Sequence, residues 1–220
     1  MLQFDHVSKR YPGSPEVLAD LSFSIAPGEM VFLTGRSGAG KTTVLKLSAL
    51  LERSSRGQII FDGENLARVP TRKIPWLRRK VGLIFQDYRL LNDRTVHDNV
   101  ALPLIIAGFP PREISSRVRA ALDKVGLLGK EKKYPIFLSA GEQQRVGIAR
   151  AVVHKPRLIL ADEPTGNLDP ELSAEIMGLF DQFRRVGSTV LIASHDLELI
   201  SKMNSRILRL ENGGLAGPIP

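Results

Sequence analysis

Gly35-Arg36-Ser37-Gly38-Ala39-Gly40-Lys41-Thr42 has the spacing G-x-x-x-x-G-K-[ST], which is suited to holding a phosphate chain. Glycines let successive backbone N–H groups turn inward around phosphate oxygens, and a helix beginning at Lys41 would add its positive end. Lys41 can reach the terminal phosphates, and the Thr42 hydroxyl can ligate Mg²⁺. Further along, Leu158-Ile159-Leu160-Ala161 is an apolar run ending in two carboxylates, Asp162 and Glu163. Asp162 there would hold the metal, and Glu163 would orient or deprotonate an attacking water beside the γ-phosphate. Together these residues point to binding and hydrolysis of a nucleoside triphosphate.

Such residues must be carried by elements that bring them to one edge. Met30 to Thr34 is a compact apolar strand entering the glycine-rich turn, and Val44, Leu47 and Leu51 then recur at helical spacing. Strands are also expected at Leu2 to Val7, Leu21 to Ile25, Gln58 to Phe61, Val81 to Phe85, Leu158 to Ala161 and Thr189 to Ala193. Pro110-Pro111 open an amphipathic helix through Ile114, Val118, Ala121, Leu122 and Val125 that stops at Gly126, and the whole stretch from Asp87 to Ser139 reads as helical. A helix from Glu142 and another from Leu172 to Phe183 alternate with the later strands, so the fold class is α/β with a mostly parallel sheet.

Composition sets the frame. The chain has 220 residues, 43% hydrophobic and 25% charged, the balance of one ordinary folded domain and not of a disordered or fibrous chain. Its longest charge-free stretch, Asn99 to Pro111, holds 13 residues with three prolines, short of the roughly 20 that a membrane helix needs. No signal peptide is visible at Met1 to His6, and the absence of cysteine excludes disulfides and thiolate chemistry. Lys and Arg number 31 against 23 Asp and Glu, a net +8 that suits a polyphosphate, an anionic lipid surface or a nucleic acid. The cations come in short clusters instead of a stripe, so no nucleic-acid partner is expected.

Leu138-Ser139-Ala140-Gly141-Glu142-Gln143-Gln144-Arg145, just before a helix, resembles the signature of the ATP-binding subunits of ABC transporters, with Ala140 where a glycine is usual. The resemblance covers essentially the whole chain. It implies a P-loop core at 1–86 and 140–220 with an antiparallel β-subdomain, a helical subdomain at 87–139, and an ATP-dependent homodimer joined head to tail around two ATP molecules. By the same resemblance Ser139, Gly141 and Glu142 would meet the nucleotide held by the other copy. Arg36, Ser37, Ala39 and Thr43 would line the phosphate site, and Tyr11 would stack on adenine. Gln86 would meet Mg²⁺ and the attacking water, His195 would stand beside the γ-phosphate, and Asn167-Leu168-Asp169 would form the loop that crosses the dimer.

Within the family, Val31 to Gly35, Asp93 to Val96, Asp98 to Ala101, Pro103 to Gly108 and Lys124 to Leu128 resemble the cell-division branch. Ala161 to Asp169 is shared with the lipoprotein-releasing and macrolide-export branches. The implied setting is the cytoplasmic face of a bacterial inner membrane, reached through an integral membrane subunit. A groove beside Gln86 is expected to receive that subunit, lined by Tyr88, Leu90, Leu91 and the apolar run Val100 to Ile106. A nucleotide-gated scaffold without hydrolysis is the rival reading, and Glu163 and His195 argue against it.

Overall fold

The computed structural model describes residues 1–166 and 168–216. The chain forms β1 (Leu2–Arg10), β2 (Glu16–Ile25), β3 (Met30–Thr34), α1 (Lys41–Ser48), β4 (Arg56–Phe61), β5 (Glu64–Asn65), α2 (Ile74–Arg78) and β6 (Val81–Ile84). It continues through α3 (Val96–Ala107), α4 (Pro111–Lys124), α5 (Ala140–Val152), β7 (Leu158–Asp162), α6 (Pro170–Arg185), β8 (Thr189–Ala193), α7 (Leu197–Ser201), β9 (Arg206–Glu211) and β10 (Gly214–Leu215).

Two sheets result. One is antiparallel, in the order β2-β1-β4-β5; the other runs β10-β9-β3-β8-β7-β6. In the second, β9, β3, β8, β7 and β6 are parallel neighbours, and only β10 is antiparallel. Strands buried on both faces show continuous apolar runs, but successive side chains still point to opposite sides. Phe32, Ile159, Ala161, Val190 and Ile192 therefore enter a core shared with α3, α4, α5 and α6. Val31, Leu33, Leu158, Leu160, Leu191 and Ala193 enter a second core with α1 and the antiparallel sheet. The parallel sheet is the middle layer, held from both sides. Phe180 and Phe32 are fully buried within the first core, and truncating either to Ala costs about 3–5 kcal/mol.

The register aligns the carboxyl ends of the central strands. Leu33 pairs with Ala193, Asp162 with Ala193, and Ile84 with Ala161. The segments following β3, β6, β7 and β8 therefore leave one edge of the sheet together, where α/β sheets bind their ligands.

Several boundaries differ from the sequence expectations. β1 and β2 are longer than the expected Leu2 to Val7 and Leu21 to Ile25, because Ser8, Lys9 and Leu18 are also buried in the pairing. β6 ends at Ile84, one residue short of Phe85. The hairpin β9–β10 was not expected at all; Arg206, Arg209 and Glu211 mask an alternation in which Leu208 and Leu210 face the core. The run Val100 to Ile106 is also divided, since Val100, Ala101 and Leu104 are core residues of α3 and only Ile105 and Ile106 face outward. A 3.6-residue period cannot present all seven positions on one side.

Candidate functional site

Between β3 and α1 the backbone turns through Gly35, Gly38 and Gly40, at φ +150°, +80° and +103°. At Gly35 packing forbids a side chain as well, and at Gly40 one would have to displace a neighbouring leucine. A Cβ on Gly35 would lie 2.5 Å from the Leu210 carbonyl oxygen, and one on Gly40 would lie 2.6 Å from Leu18 Cδ2. The otherwise unexpected strand β9 and the antiparallel sheet thus hold the turn from outside. Gly40 caps α1 without any side-chain acceptor, so the first N–H groups of the helix face the cleft unpaired within the helix. Anion binding at such an end is favoured by both hydrogen bonding and the helix dipole.

A cleft of ≈ 570 Å³ opens over this turn. Tyr11, Val17, Gly35 to Thr43, Gln86, Asp162, Glu163 and His195 line it. Every cleft residue expected from the sequence for one copy is therefore present, drawn from four strand ends and the antiparallel sheet. Val17 was missed, since a half-buried valine ahead of the expected strand carries no signal of its own.

Lys41 is nearly buried and donates to the Gly35 carbonyl at 2.7 Å and the Arg36 carbonyl at 3.4 Å. These are neutral acceptors, and Glu163 Oε1 stands 4.0 Å away; the ammonium is poised for a stronger anionic partner. Glu163 Oε1 is also 2.9 Å from His195 Nδ1. Glu163 has φ +46° and its N–H donates to the Ala193 carbonyl at 2.9 Å. Holding a non-glycine residue in that region costs about 1–3 kcal/mol, and here the end of β8 enforces it. Burial pushes the Asp162 carboxyl above its ordinary value, reinforced by the Glu163 charge and opposed by the Thr42 hydroxyl, Lys41 and Lys46.

Among the described residues, no cluster of three or more His, Cys, Asp or Glu side chains forms at metal-ligand spacing. A small hard cation does not need one. Mg²⁺ commonly uses one or two carboxylates and completes its shell with waters and substrate phosphates. A half-buried carboxylate beside the Thr42 hydroxyl and the phosphate turn is a fitting donor set.

The signature segment lies elsewhere. Ser139 caps α5 in a capping box with Glu142, and the Glu142 carboxylate is paired with Lys130. Ser139 and Ala140 are exposed. A Cβ on Gly141 would lie 2.1 Å from Leu172 Cδ2, so this glycine lets α5 approach the start of α6 closely, and a larger residue would have to displace the Leu172 side chain. Ser139, Gly141 and Glu142 are not among the residues lining the cleft of their own chain. Asn167 lies outside the described residues; Leu168 is half-buried, and Asp169 caps α6 through the Leu172 N–H at 2.9 Å.

The segment after Gln86 is strained. Tyr88 and Arg89 are consecutive left-handed residues at φ +54° and +48°. Their two carbonyls accept from the guanidinium of Arg150, on α5, at 2.6 Å each. Sequence reading missed Arg150, because an arginine within a helix does not reveal an acceptor sixty residues away. A second groove, of ≈ 490 Å³, adjoins the first and shares Thr42, Gln86 and Asp162 with it, adding Leu51, Phe85 and Arg89. Contrary to the expectation from sequence, Tyr88, Leu90, Leu91 and the run Val100 to Ile106 are not among its lining residues. His6 is paired with Asp20 and His97 with Asp98, and neither they nor His154 line the cleft.

A parallel sheet with a phosphate turn, an acidic strand end and a separate signature helix defines an ATP-binding cassette. The chain belongs to the ABC transporter family, whose model matches residues 18–166, and it is an ATPase of that type. It is 58% identical over 219 residues to the cell division ATP-binding protein FtsE of Escherichia coli K12, covering 100% of this chain and 99% of the relative. The FtsE proteins of Haemophilus influenzae and Bacillus subtilis are 53% and 42% identical, covering 98% and 97% of this chain and 99% and 93% of theirs. Among solved structures, a dimeric post-hydrolysis state of the cassette MJ0796 bound to ADP and Pi superposes with a TM-score of 0.91 at 31% identity, covering 99% of this chain and 97% of that one.

Proposed function

We propose that this chain is the motor of an FtsEX-like complex. In this reading two copies close head to tail on two ATP molecules. Closure and reopening drive an integral membrane subunit of the FtsX type, which controls cell-wall hydrolysis during cell division. Among the described residues no helix is long and apolar enough to cross a membrane, and in this reading the chain works at the inner face of the bacterial inner membrane through that subunit. Residues 1–86 and 140–220 would act as the nucleotide-binding core and 87–139 as the helical subdomain.

One observation carries the dimer: Ser139 caps an exposed helix end away from a cleft that already gathers Lys41, Thr42, Gln86, Asp162, Glu163 and His195. An N-cap with open N–H groups suits a phosphate, and the phosphate it meets would belong to the other copy. Within one copy, the turn from Gly35 to Thr43 cradles the phosphate chain and Lys41 exchanges carbonyl acceptors for phosphate oxygens. Tyr11 stacks on the base. Glu163 orients the attacking water and accepts its proton, while His195 holds the Glu163 carboxylate in place. Thr42, Asp162 and Gln86 would hold Mg²⁺, which when bound supplies charge neutralisation across the transferring phosphate. Gln86 touches both the cleft and the adjoining groove, so an element of the membrane subunit seated in that groove would sense the nucleotide through one side chain.

The test is co-purification from membranes with and without the Glu163→Gln substitution, combined with depletion in cells. An FtsX-type partner, retained on ATP, and unseparated filamentous cells are expected. Normal septation with lipoproteins accumulating in the inner membrane would overturn the division role in favour of a lipoprotein-releasing ATPase.

A further inference from the structure

Between Glu64 and Asp87 the chain carries six cations and no carboxylate: Arg68, Arg72, Lys73, Arg78, Arg79 and Lys80. Nucleotide binding explains none of them, since none lines the cleft. Local folding places them with a purpose visible in the helical spacing. Across a 3-10 turn at Thr71–Lys73 and α2, Leu77 is buried and Ile74 packs partly against the core. Arg72 and Lys73 precede Trp76 by four and three residues, and Arg79 follows it by three. Residues at these offsets share a helix face. Arg72, Lys73 and Trp76 are all exposed.

Trp76, the single tryptophan of the chain, is 64% exposed. The Arg79 guanidinium lies 4.2 Å from its ring centroid and donates to the Ile106 carbonyl at 2.8 Å. That contact ties α2 to the end of α3, where Ile105 and Ile106 are 57% and 61% exposed. Asn99 to Pro111, the stretch around them, has no formal charge. An uncharged apolar knuckle and a carboxylate-free cationic helix are thus joined into one surface.

We infer that this surface rests on an anionic lipid bilayer, with Trp76, Ile105 and Ile106 at the headgroup boundary and Arg72, Lys73 and Arg79 among lipid phosphates. A tryptophan among cations is the combination that interfacial segments use, because the ring is apolar with a polar edge and each cation gains from the negative surface. The charge pattern complements a phosphate plane, whereas a transmembrane partner's apolar helix would leave the cations without counter-ions. The site is independent of the proposed partner.

The lone tryptophan is its own reporter. The purified full-length chain should sediment with phosphatidylglycerol vesicles and not with phosphatidylcholine vesicles, at low salt, with a blue shift of Trp76 emission. Arg72→Gln and Lys73→Gln should each weaken the binding about fivefold, and Ile105→Asn with Ile106→Asn should abolish the emission shift, all with ATP turnover unchanged. Failure to sediment with phosphatidylglycerol overturns the inference. So does sedimentation without a change in emission, or an emission shift that appears only when vesicles carry the membrane subunit.

Discussion

His195 Nδ1 lies 2.9 Å from Glu163 Oε1, and the same oxygen is 4.0 Å from Lys41 Nζ. One carboxylate oxygen therefore links the ends of β7 and β8 to the phosphate turn after β3. Glu163 itself is held in a left-handed conformation by its N–H bond to Ala193, so its side chain is directed inward before any nucleotide arrives. Preorganisation of this kind lets a single amide-for-acid exchange separate binding from chemistry. Glu163→Gln should keep ATP affinity, lose about 10²–10⁴ in kcat and accumulate an ATP-bound dimer on size exclusion. His195→Ala should lose turnover without losing affinity, whereas Lys41→Ala should lose ATP binding itself. Full steady-state turnover by Glu163→Gln would remove its catalytic assignment.

Ser139→Arg should abolish hydrolysis while leaving the nucleotide affinity of its own cleft unchanged. The new cation opposes the helix dipole at the start of α5, and the lost cap costs about 1 kcal/mol, too little to unfold the chain. Titration of a fluorescent ATP analogue and a turnover assay on the same sample separate the two effects. Mixing this variant with Lys41→Ala leaves at most one composite site intact per dimer. Normal hydrolysis by purified Ser139→Arg would exclude the head-to-tail arrangement.

Asp162→Asn should raise the thermal midpoint of the nucleotide-free protein at neutral pH. The Asp162 carboxyl is pushed above its ordinary value, chiefly by burial, so its native ionised form is disfavoured relative to the unfolded chain. For a raised carboxyl, the favourable contribution is complete below the unfolded value, near pH 4, and is lost as pH rises through the native one. The advantage of the asparagine variant should accordingly be present at pH 7 and vanish on acidification, in melting curves run without nucleotide. Added MgATP should stabilise the wild type and not the variant. A variant less stable than wild type at pH 7 without nucleotide would refute the burial argument.

Arg150→Met should free the segment after Gln86. The guanidinium supplies the hydrogen bonds to the carbonyls of Tyr88 and Arg89, and losing a charged donor to such groups costs about 1.5–3 kcal/mol. Hydrogen exchange should rise at residues 86–91 before it rises in β7 or β8, and turnover should fall while Lys41-dependent nucleotide binding persists. Arg150→Lys, able to satisfy one carbonyl, should recover part of both. Uniform exchange across the whole fold would mean that Arg150 supports only global stability.

The sequence by itself singled out the residues proposed to carry the chemistry. The glycine spacing from Gly35 to Lys41, the apolar run before Asp162 and the signature before α5 depend on local backbone requirements that only certain residue types meet, so they were legible without coordinates. The periodicities likewise located β3, β8 and α4, whose partners are buried and whose patterns are clean. Tertiary structure decided the rest. That Glu163, His195 and Lys41 share one oxygen follows from the parallel register of β3, β8 and β7, a long-range pairing that no spacing along the chain encodes. Strand β9, whose Leu210 carbonyl closes over Gly35, was hidden because its outward residues are charged. The apolar run Val100 to Ile106 was divided between core and surface by helix geometry, and Arg150 found its acceptors only because α5 packs beside the strained loop after β6. Apart from that run, the deciding contact in each case joins residues distant in sequence, where packing and burial choose among arrangements that local propensity leaves equal.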